Sequence, residues 1–317
     1  GSTGNVYGEC IKTVTPEISG HFATFMGWAD EIRKLKVRTN ADNPRDTKQA
    51  VEFGAEGIGL CRTEHMFFEE DRIMAVREMI VAKNEEERRE ALEKLLPMQR
   101  EDFIGIYEEL EERPATIRFL DPPLHEFLPK STEEKSSVAG QLNVPVKTLE
   151  QYIENLNEVN PMLGHRGCRL AITYPELYVM QVEAIMESAL RLKVQGIDCQ
   201  PEIMIPLVST VAEFTTLKTQ ITERIEVLQQ EAGESVNYLI GTMIETPRAC
   251  LIVGDLAKEC DFFSFGTSDL TQLTFGFSRD DAGKFIGAYS EQGIIDIDPF
   301  QTLDVEGVGQ LVKVATE

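Results

Sequence analysis

Basic residues are scarce in this chain: 31 Lys and Arg stand against 54 Asp and Glu among 317 residues, a net charge of −23. Such a field repels polyanions, which excludes nucleic acid as the main partner. It also makes any local cluster of arginines informative, because a small anion must be held there against an unfavourable background. Long apolar runs are missing as well. None approaches the ~20 residues that a membrane span requires, so a membrane partner is not expected. The N-terminal Gly1-Ser2-Thr3-Gly4 has neither the basic start nor the apolar core of an export signal. A cytoplasmic location is the expectation, with an organelle such as a plastid or glycosome left open. The six cysteines (Cys10, Cys61, Cys168, Cys199, Cys250 and Cys260) are dispersed, form no Cys-x-x-Cys pair and sit in or beside apolar runs. They read as reduced thiols, not as a disulfide framework. There is no internal repeat and no low-complexity segment.

What is present is a soluble globular composition, 42% hydrophobic and 27% charged, in a length that suits one large α/β barrel or two ordinary domains. Short apolar strands at 35–40, 57–62, 115–120, 202–208, 238–245 and 262–267 alternate with helical stretches. Several are apolar on both faces, as strands of a covered parallel sheet are. Helix punctuation supports the reading. Gly54 closes one helix, Thr210 and Glu213 have capping-box spacing, and Pro247 opens a first turn. The clearest helix, 175–196, keeps Leu177, Met180, Ala184, Ile185, Ala189 and Leu192 on one face. Polar, reactive-looking residues fall at the C-terminal ends of the strands, where barrel enzymes build their sites. The expected fold is therefore α/β, a (β/α)8 TIM-type barrel over 34–317, preceded by a linker and a helix over 1–33. It carries helical insertions at about 69–113 and 121–174. Only six strand–helix units are visible, so the last two are expected to be missing.

Glu245 ends the fifth strand and Asp269 follows the sixth. Carboxylates at the ends of adjacent parallel strands lie close together and call for a cation between them. Two carboxylates with positions left for substrate oxygens suit Mg²⁺. The alternative is that each carboxylate caps the helix that follows. Arg62 and Arg118 end strands that are otherwise apolar. A guanidinium there must face a carboxylate or an anionic ligand, and its planar fork fits phosphate. The alternative for these two is an ion pair with Glu64 or Asp121. In Gly266-Thr267-Ser268 the glycine permits close backbone approach, and successive N–H groups can cup an anion. Arg166, between Gly164 and Gly167, either holds an anion or pins its loop. His65 and His125 lie beside the arginine strand ends and read as hydrogen-bonding residues. Cys61 points away from Arg62 into packing.

The segment Leu60-Cys61-Arg62-Thr63-Glu64-His65-Met66-Phe67-Phe68 resembles a signature of the pyruvate, phosphate dikinase family. The segments 120–129, 164–170, 265–270 and 274–281 are similar to further motifs of that family, in the same order. Related phosphoenolpyruvate synthase and the phosphotransferase-system enzyme I share the barrel but not the His-Met-Phe-Phe or Pro-Pro-Leu-His segments. The resemblance implies the pyruvate/phosphoenolpyruvate-binding barrel of a larger enzyme. That enzyme converts ATP, phosphate and pyruvate to AMP, diphosphate and phosphoenolpyruvate through a phosphohistidine on a swivelling domain, which becomes the expected partner, along with a second copy in a homodimer. It implies that Arg62 and Arg118 bind the transferring phosphoryl group. Glu245 and Asp269 hold Mg²⁺, and Gly266, Thr267 and Ser268 line the substrate pocket. Ser268 stands where the family pattern has Asn. The cysteine that handles the proton in the family lies on a strand beyond residue 317, and none of the six here falls in its motif. Two other readings accompany this one: a non-catalytic pyruvate/phosphoenolpyruvate-binding module, and a different enzyme on the same barrel, either phosphoenolpyruvate synthase-like or a metal-dependent aldolase or lyase.

Overall fold

Capping chemistry and apolar runs decide where the elements fall in the computed structural model, which describes Gly8 and residues 17–317. The linker read at the start of the chain lies almost wholly outside those residues. In chain order come α1 (Gly20–Ile32), β1 (Thr39–Asn40), α2 (Pro44–Glu52), β2 (Ile58–Arg62), α3 (Thr63–Phe67), α4 (Ile73–Val81), α5 (Glu85–Leu110) and β3 (Pro114–Arg118). Next are α6 (Thr132–Gln141), α7 (Val146–Leu156), α8 (Cys168–Thr173), α9 (Pro175–Val194), β4 (Gln200–Ile205), α10 (Val211–Ala232) and β5 (Leu239–Ile244). The last are α11 (Pro247–Leu251), α12 (Val253–Leu256), β6 (Phe263–Phe265), α13 (Thr267–Phe275), α14 (Ile286–Glu291) and α15 (Val308–Thr316). No helix among the described residues is long and apolar enough to cross a membrane.

The strands form one parallel sheet in the order β1-β2-β3-β4-β5-β6, so each pairs with its neighbours in sequence. Apart from its first residue, β4 is buried throughout, and so is β5. That is why their sequences read as continuous apolar runs instead of alternating ones. Among the described residues β1 and β6 are the two edges, so this chain makes a six-stranded parallel α/β sheet and not a closed barrel. The first strand is also shorter than its sequence suggests. Leu35 and Val37 are exposed, and only Thr39–Asn40 pair with β2. At the other edge Thr267, expected in the last strand, opens α13.

Helices α2, α5, α9 and α10 pack side by side outside the sheet. In α9 the six expected apolar positions are all buried, with Pro175 at the first turn and Gly196 in the left-handed region past the end. In α10 the Thr210 side chain accepts from the Glu213 backbone N–H while Glu213 reaches back, completing the capping box. The 69–113 stretch, expected as an insertion, contributes α5, which lies against β3 and between α2 and α9. It carries the fully buried Phe103, Ile106 and Tyr107. A second, small core gathers Val138, Ala139 and Leu149 of α6 and α7 against Met74 and Val81 of α4.

If α5 is a covering layer of the sheet, Phe103→Ala leaves a cavity in the main core and costs about 3–5 kcal/mol in chemical denaturation. A peripheral helix would lose less than about 1 kcal/mol.

Candidate anion and metal site

Parallel register brings the strand ends together. Arg62 at the end of β2 pairs in register with Arg118 at the end of β3, and Arg118 with Met204 of β4. Ile244 pairs with Phe265, so Glu245 and Gly266 follow side by side, and the Gly266 N–H donates to the Ile244 carbonyl at 3.0 Å. The rim of the sheet is therefore lined by residues that are far apart in sequence.

Arg118 is buried, with Nη2 on Glu64 Oε1 at 2.5 Å and Nη1 on Asp121 Oδ2 at 3.2 Å. Both ion-pair partners weighed for it are thus present together. Asp121 also accepts from Arg166, Oδ1 from Nε at 3.2 Å and Oδ2 from Nη2 at 2.5 Å. Arg166 in turn reaches Asp269 Oδ1 with Nη1 at 3.3 Å. Glu64, Arg118, Asp121, Arg166 and Asp269 so form one chain of alternating charge. Burial would by itself weaken the hold of Arg118 and Arg166 on their protons. The facing carboxylates, Asp121 foremost, reverse this and raise both.

Glu245 is fully buried beside that chain. Its Oε1 accepts from the Leu207 backbone N–H at 2.6 Å, and its Oε2 has no protein partner. Burial first, then the negative charges of Asp121 and Asp269, push its carboxyl well above the usual range. Gly266 is required here for space, because a Cβ at that position would stand 2.6 Å from Glu245 Oε2. Two guanidiniums in this buried region face four carboxylates (Glu64, Asp121, Glu245 and Asp269). Ionised throughout, it lacks two positive charges, which is the charge of one divalent cation. Among the described residues no three His, Cys, Asp or Glu side chains form a ready metal cage. Glu245, with its orphaned oxygen, and Asp269 are instead a partial donor set of hard oxygens that leaves room for oxygens of a small ligand. That fits Mg²⁺.

The other expected residues are placed as follows. The Arg62 side chain is half-buried and makes no ion pair with the described residues, while its backbone N–H donates to Asp42 Oδ1 at 2.6 Å. Thr267 and Ser268 open α13. The Thr267 carbonyl accepts from Thr271 Oγ1, and Ser268 Oγ accepts from Arg279 Nη1 at 3.1 Å. Cys61 is buried packing, its thiol pushed up by burial. Sequence reading weighed Asp121 only as one of two partners for Arg118 and missed its bridge to Arg166, and it missed the Leu207 amide and Asp42. A carboxylate three residues after a strand-end arginine is a usable signal for the first. The second has none, since nothing in a leucine announces a φ of 61°. Adjoining the site is a cavity of about 590 Å³ whose walls include Glu64, His65, Asp121, Met162 and Arg166.

The family model for PEP-utilising enzymes, PEP-binding domain, matches residues 16–317. Pyruvate, phosphate dikinase of Clostridium symbiosum is 54% identical over all of this chain and 36% of its own length. That of Rhizobium meliloti (strain 1021) is 54% identical over 35% of its length. The chloroplastic form of Mesembryanthemum crystallinum is 52% identical over 34% of its length. The chain spans about a third of the length of the curated relatives it matches.

Two outcomes are expected. Asp121→Asn leaves two buried guanidiniums short of a counter-charge and costs about 3–5 kcal/mol in denaturant unfolding. Glu245→Gln keeps an acceptor for the Leu207 amide and removes the buried acid. In the metal-free wild type the raised carboxyl contributes stability that is fully present below the ordinary Glu range, near pH ~4.3, and is lost as pH rises through the raised value. Thermal unfolding from pH 4 to 8 should show that decline in the wild type and a flatter profile in the variant. Parallel profiles would contradict the assignment.

Proposed function

The chain belongs to the PEP-utilising enzymes through their PEP-binding domain, and from that premise we propose that it is the pyruvate-side half of a pyruvate, phosphate dikinase. In this reading it binds pyruvate and accepts a phosphoryl group from a phosphohistidine carried on another domain. The single observation that carries the reading is the charge chain from Glu64 to Asp269, with the orphaned Glu245 Oε2 beside it and four carboxylates to two guanidiniums. The similarity to named dikinases supports the reaction class.

Glu245 and Asp269 would hold Mg²⁺, which when bound supplies positive charge to the carboxylate and enolate oxygens of pyruvate. Arg62, whose side chain is uncommitted, and Arg118, fixed by Glu64 and Asp121, neutralise the phosphoryl group as it moves from the histidine nitrogen to the enolate oxygen. Arg166 keeps Asp269 and Asp121 in place. Gly266, Thr267 and Ser268, at the start of α13, would line the substrate pocket. The methyl proton of pyruvate goes to a group outside this set. The described cysteines are unsuited to receive it: Cys61 is fully buried, and the Cys168 thiol is pushed up to about 12 by burial.

The same premise extends to the fold and assembly. We take residues 34–317, with their six-stranded sheet, as the incomplete part of a (β/α)8 barrel that lacks its last two strand–helix units, and 1–33 as the linker and helix from the phosphohistidine domain. The parent is taken as a homodimer. A second reading, a binding module without catalysis, is distinguished by failing to exchange the methyl protons of pyruvate when the partner domains are supplied.

Calorimetric titration of phosphoenolpyruvate tests the reading. Mg²⁺-dependent binding to the wild-type chain at millimolar ligand or below is expected, and Glu245→Gln should lose the Mg²⁺ dependence while remaining folded. A folded wild-type sample that binds nothing at millimolar ligand contradicts it.

A further inference from the structure

The cavity that opens beside the charge chain is acidic. Glu64, Asp121, Glu126, Asp280 and Asp281 line it, and among its lining residues only Arg166 and His65 can carry positive charge. Arg166 is committed, with Nε and Nη2 on Asp121 and Nη1 on Asp269. His65 is not. Its ring is more than half exposed, Nδ1 meets Asp42 Oδ2 at 2.6 Å, and Nε2 makes no hydrogen bond to the described residues.

The partner of Nδ1 matters in two ways. A carboxylate can only accept, so Nδ1 carries the proton, and Nε2 is either a free lone pair or, in the imidazolium, a second donor. The other oxygen of Asp42 accepts the Arg62 backbone N–H at 2.6 Å. One carboxylate therefore ties the His65 ring to the strand end that bears Arg62. Glu64, the residue just before His65, holds Arg118. The ring belongs to the arginine side of the site, opposite in function to the carboxylate pair Glu245 and Asp269.

Building on the function above, we propose that His65 is a further substrate-binding residue, whose Nε2 donates to the phosphoryl group of phosphoenolpyruvate at the cavity mouth while Asp42 holds Nδ1. No bond to His65 forms or breaks. Five carboxylates in the cavity wall explain why the contact matters: without His65 a phosphoryl group entering the cavity meets no uncommitted cation among the lining residues.

The test compares two ligands in the presence of Mg²⁺, phosphoenolpyruvate and oxalate, the second being an enolate mimic without a phosphoryl group. Calorimetry on the full chain and on His65→Gln should show phosphoenolpyruvate weakened about 10-fold or more, the worth of one hydrogen bond to a charged group. Oxalate should change by less than about twofold. If both ligands weaken alike, His65 serves only to brace Arg62 through Asp42 and the proposal is overturned. Unchanged phosphoenolpyruvate affinity overturns it too. A wild-type chain that binds neither ligand overturns the proposed function itself, and this inference with it.

Discussion

Asp121 is the carboxylate on which the site depends. It lies between two buried arginines, receiving Nη1 of Arg118 on one side and a two-nitrogen fork from Arg166 on the other. Bare guanidiniums are costly to bury, and their mutual repulsion would push the ends of β3 and the 164–167 loop apart. With Asp121 between them, one charge alternation runs from Glu64 to Asp269. Glu245 lies buried beside that alternation, and burial first, then Asp121 and Asp269, raise its carboxyl.

Backbone geometry keeps that arrangement in register. Gly167, at φ 55°, donates its N–H to the Asp121 carbonyl, and a Cβ there would meet Leu207 Cβ at 2.9 Å. Cys168 donates its backbone N–H to Pro206 and its thiol to the Leu207 carbonyl. The turn therefore joins the ends of β3 and β4. Leu207 is held at positive φ, a conformation that costs a branched-chain residue on the order of 1–3 kcal/mol. In that conformation its N–H reaches Glu245 Oε1, which leaves Oε2 as the oxygen available to a cation. A strained peptide inside a packed core is a rigid support for a ligand side chain, and a flexible loop would not be.

Much of this was legible in the sequence. The apolar runs of β4 and β5, the capping box at Thr210 and the buried face of α9 follow from local chemistry, which a sequence displays directly. The strand-end pattern also singled out Arg118, Glu245 and Asp269, because charged residues ending apolar strands are expensive without a partner. What escaped is whatever depends on the third dimension alone. The length of β1 is set by how few of its residues find a partner on β2. The role of α5 is set by the neighbours it packs against, and its long polar run hid that. Asp121 and Glu64 were seen as two alternative partners for Arg118, whereas the fold supplies both. Asp42 acts through one carboxylate on a backbone amide and a ring at once, and no spacing rule encodes that.

If Glu245 and Asp269 together hold a divalent cation, anomalous diffraction from crystals of this chain soaked with Mn²⁺ and oxalate will reveal it. One strong anomalous peak shared by those two carboxylates is expected, with Arg118 still held between Glu64 and Asp121. No peak there in crystals that bind the metal elsewhere, or a metal held by neither carboxylate, would contradict it.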